Sequence, residues 1–253
     1  MKTTTDLPKF VTSKAHWFAA QESSGPRQMA LDVMLLEKSI QSTHPKPCLR
    51  FYTWKGPWLS LGHNQVSIPK HWKELAKADH LKIVKRPSGG GAVLHGSGLT
   101  YSIIWPTPPR HRQQAYAQTC SWLIKSFETL GLPLRFGEEP YLSINSNCFS
   151  AATQADLVDM DGQKRIGSAQ FWRNGHLLQH GEILLDPPQK LWKEVFKCEA
   201  PPPVTTRIPR TGLDLHLQET MQSLLPGITW QEQAINKEEL QRLNDLERHY
   251  TFD

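Results

Sequence analysis

The sequence is poor in cysteine and gives the four it has no metal-binding or redox arrangement. Cys48, Cys120, Cys148 and Cys198 are widely spaced in 253 residues, with no C-x-x-C pair and no Cys/His spacing of the kind a structural zinc site needs. Reduced thiols are expected. No apolar run approaches membrane-spanning length, and Met1 to Val11, which carries Lys2, Asp6 and Lys9, lacks the apolar stretch of a secretory signal. A cytoplasmic protein with no membrane partner is the expectation. Internal repeats and long low-complexity tracts are missing, which excludes solenoids and extended disorder. The net charge of +5 is spread along the chain with no dense Lys/Arg stripe, so nucleic acid is not an expected partner, whereas a weakly acidic protein fits. Neither a Walker A loop nor a G-x-G-x-x-G fingerprint occurs, so nucleotide binding has no motif of its own.

What is present suits a globular enzyme-sized chain: 38% hydrophobic and 21% charged residues, enough to bury one substantial core. Residues 26 to 38 place Pro26 in a first helical turn and repeat apolar residues at helical spacing. Cys48 to Trp54, Trp58 to Leu61 and Lys82 to Lys85 read as short strands, Leu99 to Trp105 as another, and Gln113 to Leu130 as a helix. Asp161-Gly162 and Asn174-Gly175 each separate alternating apolar runs, which predicts a three-stranded antiparallel meander between 155 and 185. Helices are expected over 188–197, 212–224 and 236–248. The order predicts an α+β fold of mixed and antiparallel sheets with flanking helices. Pro201-Pro202-Pro203 marks a linker, giving a catalytic domain over 1–203 and a helical extension packed on it over 204–253.

Four segments carry candidate chemistry. The first is the strand that ends in Arg86-Pro-Ser88-Gly89-Gly90-Gly91 and resumes at once toward His95. Glycines allow close backbone approach and positive φ angles that turn N–H groups onto a carboxylate, a thioester carbonyl or a phosphate, and they equally build plain tight turns. The second is Lys164, at a strand start beside a turn and followed by Gly167-Ser168-Ala169-Gln170. Its ammonium can stabilise charge on an acyl oxygen or a phosphate, or it can be an ordinary solvated lysine. The third is Cys148, in a loop-like run of small polar residues from Ser143 to Thr153. A thiolate there can take up an acyl group, although a buried cysteine is often only an apolar filler, as the patterns around Cys48 and Cys120 suggest. The fourth is Gln179-His180-Gly181 on the last meander strand, where His180 can line a pocket or hold structure.

In this order the segments resemble the lipoate-protein ligase and octanoyltransferase family of the biotin/lipoate protein ligase superfamily. Met29-Ala-Leu-Asp32 is similar to its early helix, Arg50-Phe-Tyr52 through Ser60-Leu-Gly-His-Asn-Gln65 to its first strand pair, and Arg86 to His95 to its Arg/Gly-rich acyl-binding loop. Gly167 to Gln170 and Gln179 to Gly181 complete a match over roughly residues 26 to 186. The resemblance implies an acyl chain held in an apolar tunnel beside the glycine loop, with Lys164 near the acyl carbonyl. Cys148-Phe149 resembles the Cys-Phe of cysteine-dependent octanoyltransferases, and only a short segment follows residue 203 where the ligases commonly carry an accessory domain. Ser-Ala-Ala-Thr after Phe149 and Lys85 before Arg86 depart from the transferase pattern.

The implied reaction transfers octanoyl from acyl carrier protein to Cys148, and then to a lysine of a lipoyl domain or glycine-cleavage H protein, with no cofactor. Cys148 and Lys164 are the implied catalytic pair. Arg86, Ser88, Gly89, Gly90, Gly91, His95, Gly167, Ser168, Ala169, Gln170 and His180 form the implied substrate site, with no metal. The alternatives are an ATP- and Mg-dependent lipoate ligase, an amidotransferase between two carrier proteins using the same thiol chemistry, and a non-catalytic acyl-binding protein.

Overall fold

The computed structural model describes residues 6–138, 153 and 155–251. In chain order the elements are β1 (Lys14–Ser23), α1 (Gly25–Gln41), β2 (Cys48–Trp54), β3 (Trp58–Leu61), α2 (Lys70–Lys77), β4 (Lys82–Lys85), β5 (Val93–His95), β6 (Leu99–Trp105) and α3 (Arg112–Thr129). They continue with β7 (Arg135–Phe136), β8 (Leu157–Val158), β9 (Lys164–Arg173), β10 (His176–Ile183), α4 (Gln189–Phe196), α5 (Leu213–Leu224), β11 (Thr229–Glu232) and α6 (Lys237–Glu247). The result is α+β, as expected. A mixed eight-stranded sheet has the order β11-β1-β2-β6-β10-β9-β8-β7, and a second sheet has the order β4-β3-β5.

The large sheet is covered on both faces, and strand alternation assigns the side chains. On one face Leu49, Phe51, Tyr101 and Ile103 pack with Trp122 and Phe127 of α3 and with Leu213 and Leu217 of α5. Their neighbours Cys48, Ile104 and Leu178 turn to the opposite face, against Ala30, Met34 and Leu35 of α1 and Leu243 of α6. A strand buried on both sides reads as a nearly continuous apolar run, which is why β2 and β6 were legible in the sequence. The small sheet has its own core with Trp72 of α2 and Trp192 and Val195 of α4.

The meander follows the dipeptides. β8, β9 and β10 run antiparallel, and Asn174 and Gly175 both take positive φ, 49° and 79°, as a type I′ hairpin turn demands. At the β8–β9 turn, Asp159 Oδ1 accepts from the backbone N–H groups of Asp161 and Gln163 while Gly162 sits at φ 78°. Four elements carry no clear sequence signal, the two-residue β7 among them. β1 is mostly exposed along its length, α2 buries only Trp72 in a charged octapeptide, and β11 is a four-residue edge strand pairing parallel with β1.

Past the three prolines the chain stays on the main body. Arg165 Nη1 donates to the Pro202 carbonyl at 2.6 Å, and Val204 N–H to the Leu185 carbonyl at 2.8 Å. α5 then packs on α3, β11 extends the large sheet and α6 covers α1. No helix among the described residues is long and apolar enough to cross a membrane.

Candidate active site

The site lies on the α1 side of the large sheet, where the small sheet closes over it. Register fixes two rows of residues across three central strands and β9. Gly167, Glu182, Thr100 and Tyr52 are successive partners in one row, and Ala169, His180, Ser102 and Arg50 form the next. The rows bound a narrow cavity of about 30 Å³, walled by Met29, Tyr52, Trp54 and Val93 and edged by Ser60, Arg86, His95, His180 and Glu182. On the α3 side of the same strands, a Cβ on Gly181 would meet the Tyr101 ring at 2.6 Å and the Gly167 carbonyl at 2.7 Å.

Asp32 is the anchor of the floor. It is the one charged residue on the apolar stripe of α1, fully buried among Met29, Val33 and Leu36. Its Oδ1 accepts from Arg50 at 2.6 Å and Ser102 at 2.8 Å; its Oδ2 accepts from Tyr52 at 2.9 Å and meets His180 Nδ1 at 3.1 Å. Burial alone would raise the Asp32 pKa, but Arg50 and the hydrogen bonds from His180 and Ser102 outweigh it and hold the carboxyl below its ordinary 3.8. Burial, with Asp32 beside it, pushes the Tyr52 phenol well above 10. His180 passes the connection on, its Nε2 lying 2.5 Å from Ser88 Oγ.

A second relay runs parallel to the first. Ser60 Oγ lies 2.8 Å from His95 Nε2, and His95 Nδ1 lies 2.8 Å from Glu182 Oε2. Thr100 Oγ1 donates to the same carboxylate oxygen at 2.5 Å and accepts from Trp54 Nε1 at 2.8 Å. The Trp54 ring stacks on His95 with centroids 3.9 Å apart. Burial lowers the His95 pKa below 6.5 despite the opposing Glu182, so the ring is neutral near pH 7.

Arg86 joins the two relays. Its Nε donates to Ser88 Oγ at 3.2 Å and its Nη1 to the Ser60 carbonyl at 2.9 Å and Oγ at 3.3 Å, while Nη2 donates to the carbonyls of Gly89 and Gly91, both at 2.7 Å. The glycine run therefore wraps its carbonyls around a guanidinium. The close approach depends on Gly62, where a Cβ would sit 1.9 Å from the Gly90 carbonyl oxygen.

Lys164 occupies a neighbouring buried position. It opens β9 three residues before Gly167, and its ammonium lies 2.9 Å from Asp156 Oδ2, whose other contacts are the backbone N–H and hydroxyl of Thr153. On the α3 side of the sheet, Gln179 Nε2 donates to Tyr101 OH at 2.8 Å, and its Oε1 accepts from Thr119 at 2.5 Å and Gln170 at 2.8 Å. Tyr101 OH is 2.7 Å from Ser168 Oγ. Burial pushes the thiols of Cys120 and Cys48 up to about 11 and about 12, so both are protonated structural groups.

Of the residues singled out in the sequence, the structure brings Arg86, His95, Gly167, Ser168, Ala169 and His180 to the cavity wall, with Ser88, Gly89 and Gly91 bonded to Arg86 behind it. Gly90 is exposed at φ 93°. Gln170 belongs to the α3-side network, and Lys164 pairs with Asp156 outside the cavity lining. Cys148 lies outside the described residues. Sequence reasoning missed Asp32, Trp54, Ser60, Thr100 and Glu182 as site residues. Asp32 and Glu182 carried a signal, since each interrupts an apolar stripe with a charge.

The sequence model of the lipoyl protein ligase A/B catalytic domain matches residues 24–228, and the chain belongs to that family. It is 38% identical to octanoyltransferase LipM of Geobacillus kaustophilus over 181 residues, covering 67% of this chain and 64% of the relative. With octanoyltransferase LipM of Carboxydothermus hydrogenoformans it shares 38% over 168 residues, 64% of this chain and 61% of the relative. The chain thus spans less than two thirds of the length of these curated relatives. Among solved structures, a T. acidophilum protein with bound lipoic acid superposes with a TM-score of 0.79 at 21% identity, over 94% of this chain and 96% of that one. A lipoate-protein ligase A bound with ATP superposes with 0.75 at 19% identity, over 94% and 95%. These superpositions define the fold.

Proposed function

We propose that the chain is a cytoplasmic octanoyltransferase of protein lipoylation, which moves octanoyl from acyl carrier protein to a lysine of a lipoyl domain or glycine-cleavage H protein. The observation that carries the reading is the convergence of the ordered family motifs on one buried, apolar-walled cavity, in a chain similar to octanoyltransferases. In this reading residues 1–203 carry the catalysis and 204–253 pack on them. The Cys148 thiolate attacks the thioester carbonyl, phosphopantetheine thiol leaves, and the target lysine displaces Cys148 from the acyl-enzyme. The Lys164 ammonium, held by Asp156 beside the cavity, is assigned to the developing oxyanion at the mouth of the site and favours the thiolate, whose ordinary pKa is about 8.5. Arg86, Ser88, His95, His180 and the glycines 89–91 shape the acyl site, with Gly167 to Gln170 along its β9 wall. This transfer needs no cofactor.

The test is acyl transfer to an apo carrier domain from octanoyl acyl carrier protein, with and without ATP. Transfer without ATP is expected. Modification only with ATP, Mg and free lipoate, with pyrophosphate release, would replace this reading by the ligase.

A further inference from the structure

Beyond the transfer reading, one arrangement at the cavity offers a chemistry that the transfer does not use. Ser60, His95 and Glu182 come from three different strands, β3, β5 and β10, and form a continuous hydroxyl–imidazole–carboxylate chain with both links at 2.8 Å. His95 donates from Nδ1 to the carboxylate, which leaves Nε2 as the acceptor for the Ser60 proton. This is the tautomer a general base needs. Stacking on Trp54 and the Thr100 bond to Glu182 fix the ring from two sides, and burial keeps the imidazole neutral near pH 7. Glu182 is 2% exposed. Burying a carboxylate is costly unless it is paired, and Gly98 makes the space for it: a Cβ there would stand 2.3 Å from Glu182 Oε1. Beside the Ser60 hydroxyl, Arg86 Nη1 lies 3.3 Å from Oγ, a fixed cation that favours release of the hydroxyl proton to His95.

We propose that Ser60, His95 and Glu182 form a second nucleophilic centre that hydrolyses medium-chain acyl thioesters in this cavity independently of Cys148. The proposal rests on the reading that the cavity takes an acyl chain. Ser60 Oγ attacks the thioester carbonyl as His95 Nε2 takes its proton; the C–S bond breaks and the proton passes to the departing thiolate. Water then attacks the Ser60 ester, giving a proton to His95. The C–O bond to Ser60 breaks, the proton returns to Oγ, and the carboxylic acid leaves. Ser60 is 1% exposed, so it meets substrate only through the cavity, whose walls of Met29, Tyr52, Trp54 and Val93 match the apolar character of an acyl chain.

The experiment uses the full chain carrying Cys148→Ala, octanoyl-pantetheine as substrate and a fluorophosphonate probe, which esterifies an activated serine with loss of fluoride. Expected are steady octanoate release, probe mass on the Ser60 peptide, and a fall in release of at least ~100-fold when Ser60→Ala is added. Glu182→Gln, which keeps the volume and leaves Ser60 in place, is expected to slow both release and labelling by roughly 100-fold in protein of unchanged circular dichroism. Loss of hydrolysis in Cys148→Ala alone, release that survives Ser60→Ala, or a probe found on another residue overturns the proposal. A protein that transfers octanoyl but leaves Ser60 unlabelled fails this proposal alone; one labelled at Ser60 but unable to transfer fails the function proposed above alone.

Discussion

The Lys164 ammonium and the Asp156 carboxylate lie 2.9 Å apart with side-chain exposures of 3% and 4%. Removing the carboxylate takes a charged partner from buried Lys164 and an acceptor from the Thr153 backbone N–H and hydroxyl. Asp156→Ala is therefore expected to destabilise the protein by about 3–5 kcal/mol, and Asp156→Ala with Lys164→Met by less than either single change would suggest. Urea denaturation of the three variants checks this; additive single losses would contradict it.

The Asp32 carboxyl gives a pH prediction. Its folded pKa is lowered from 3.8 although burial pushes the other way, because Arg50, His180 and Ser102 together win. A depressed folded value stabilises the protein above the unfolded pKa, and that contribution is lost as pH falls through the folded one. Asp32→Asn is thus expected to flatten the acid limb of stability below about pH 4, and to lower stability at pH 7 because Arg50 loses its carboxylate. Chemical denaturation between pH 2 and 7 reads both; an unchanged acid limb would contradict the assignment.

Gly62→Ala would force a methyl group onto the Gly90 carbonyl oxygen 1.9 Å away. Backbone must shift, and the Gly89 and Gly91 carbonyls would leave Arg86. A loss of at least about 1–3 kcal/mol follows from overpacking, with a rise in the apparent KM for the acyl donor. A variant with wild-type melting temperature and KM would show that the loop yields freely.

Asn236 closes a capping box with Glu239 at the start of α6, the helix that covers α1 at Leu243. Asn236→Ala is expected to cost about 1 kcal/mol, with faster amide exchange confined to α6. Uniform destabilisation would place the effect elsewhere.

The elements that could be read from the sequence are those whose pattern had a single physical cause. α1 shows helical periodicity because one stripe is buried, and the 174–175 turn shows itself because two successive positive φ angles require Asn-Gly. β1 and α2 were illegible because their burial is set by neighbours distant in the chain. At the site, Arg86, His95 and His180 were found through motif order. Ser60, Thr100 and Trp54 gave no local sign, since their roles arise only when β3, β5, β6 and β10 bring them to Glu182. The glycine run was read as a source of N–H donors, whereas the carbonyls of Gly89 and Gly91 bind Arg86.

Transfer through a thioester requires that Cys148 itself carry the acyl group. Mass spectrometry of the full chain after incubation with octanoyl acyl carrier protein tests it most directly. One octanoyl adduct is expected on the Cys148 peptide, labile to hydroxylamine and absent from Cys148→Ala; no adduct at that peptide, or an unchanged yield in the variant, would rule out Cys148 as the acyl carrier.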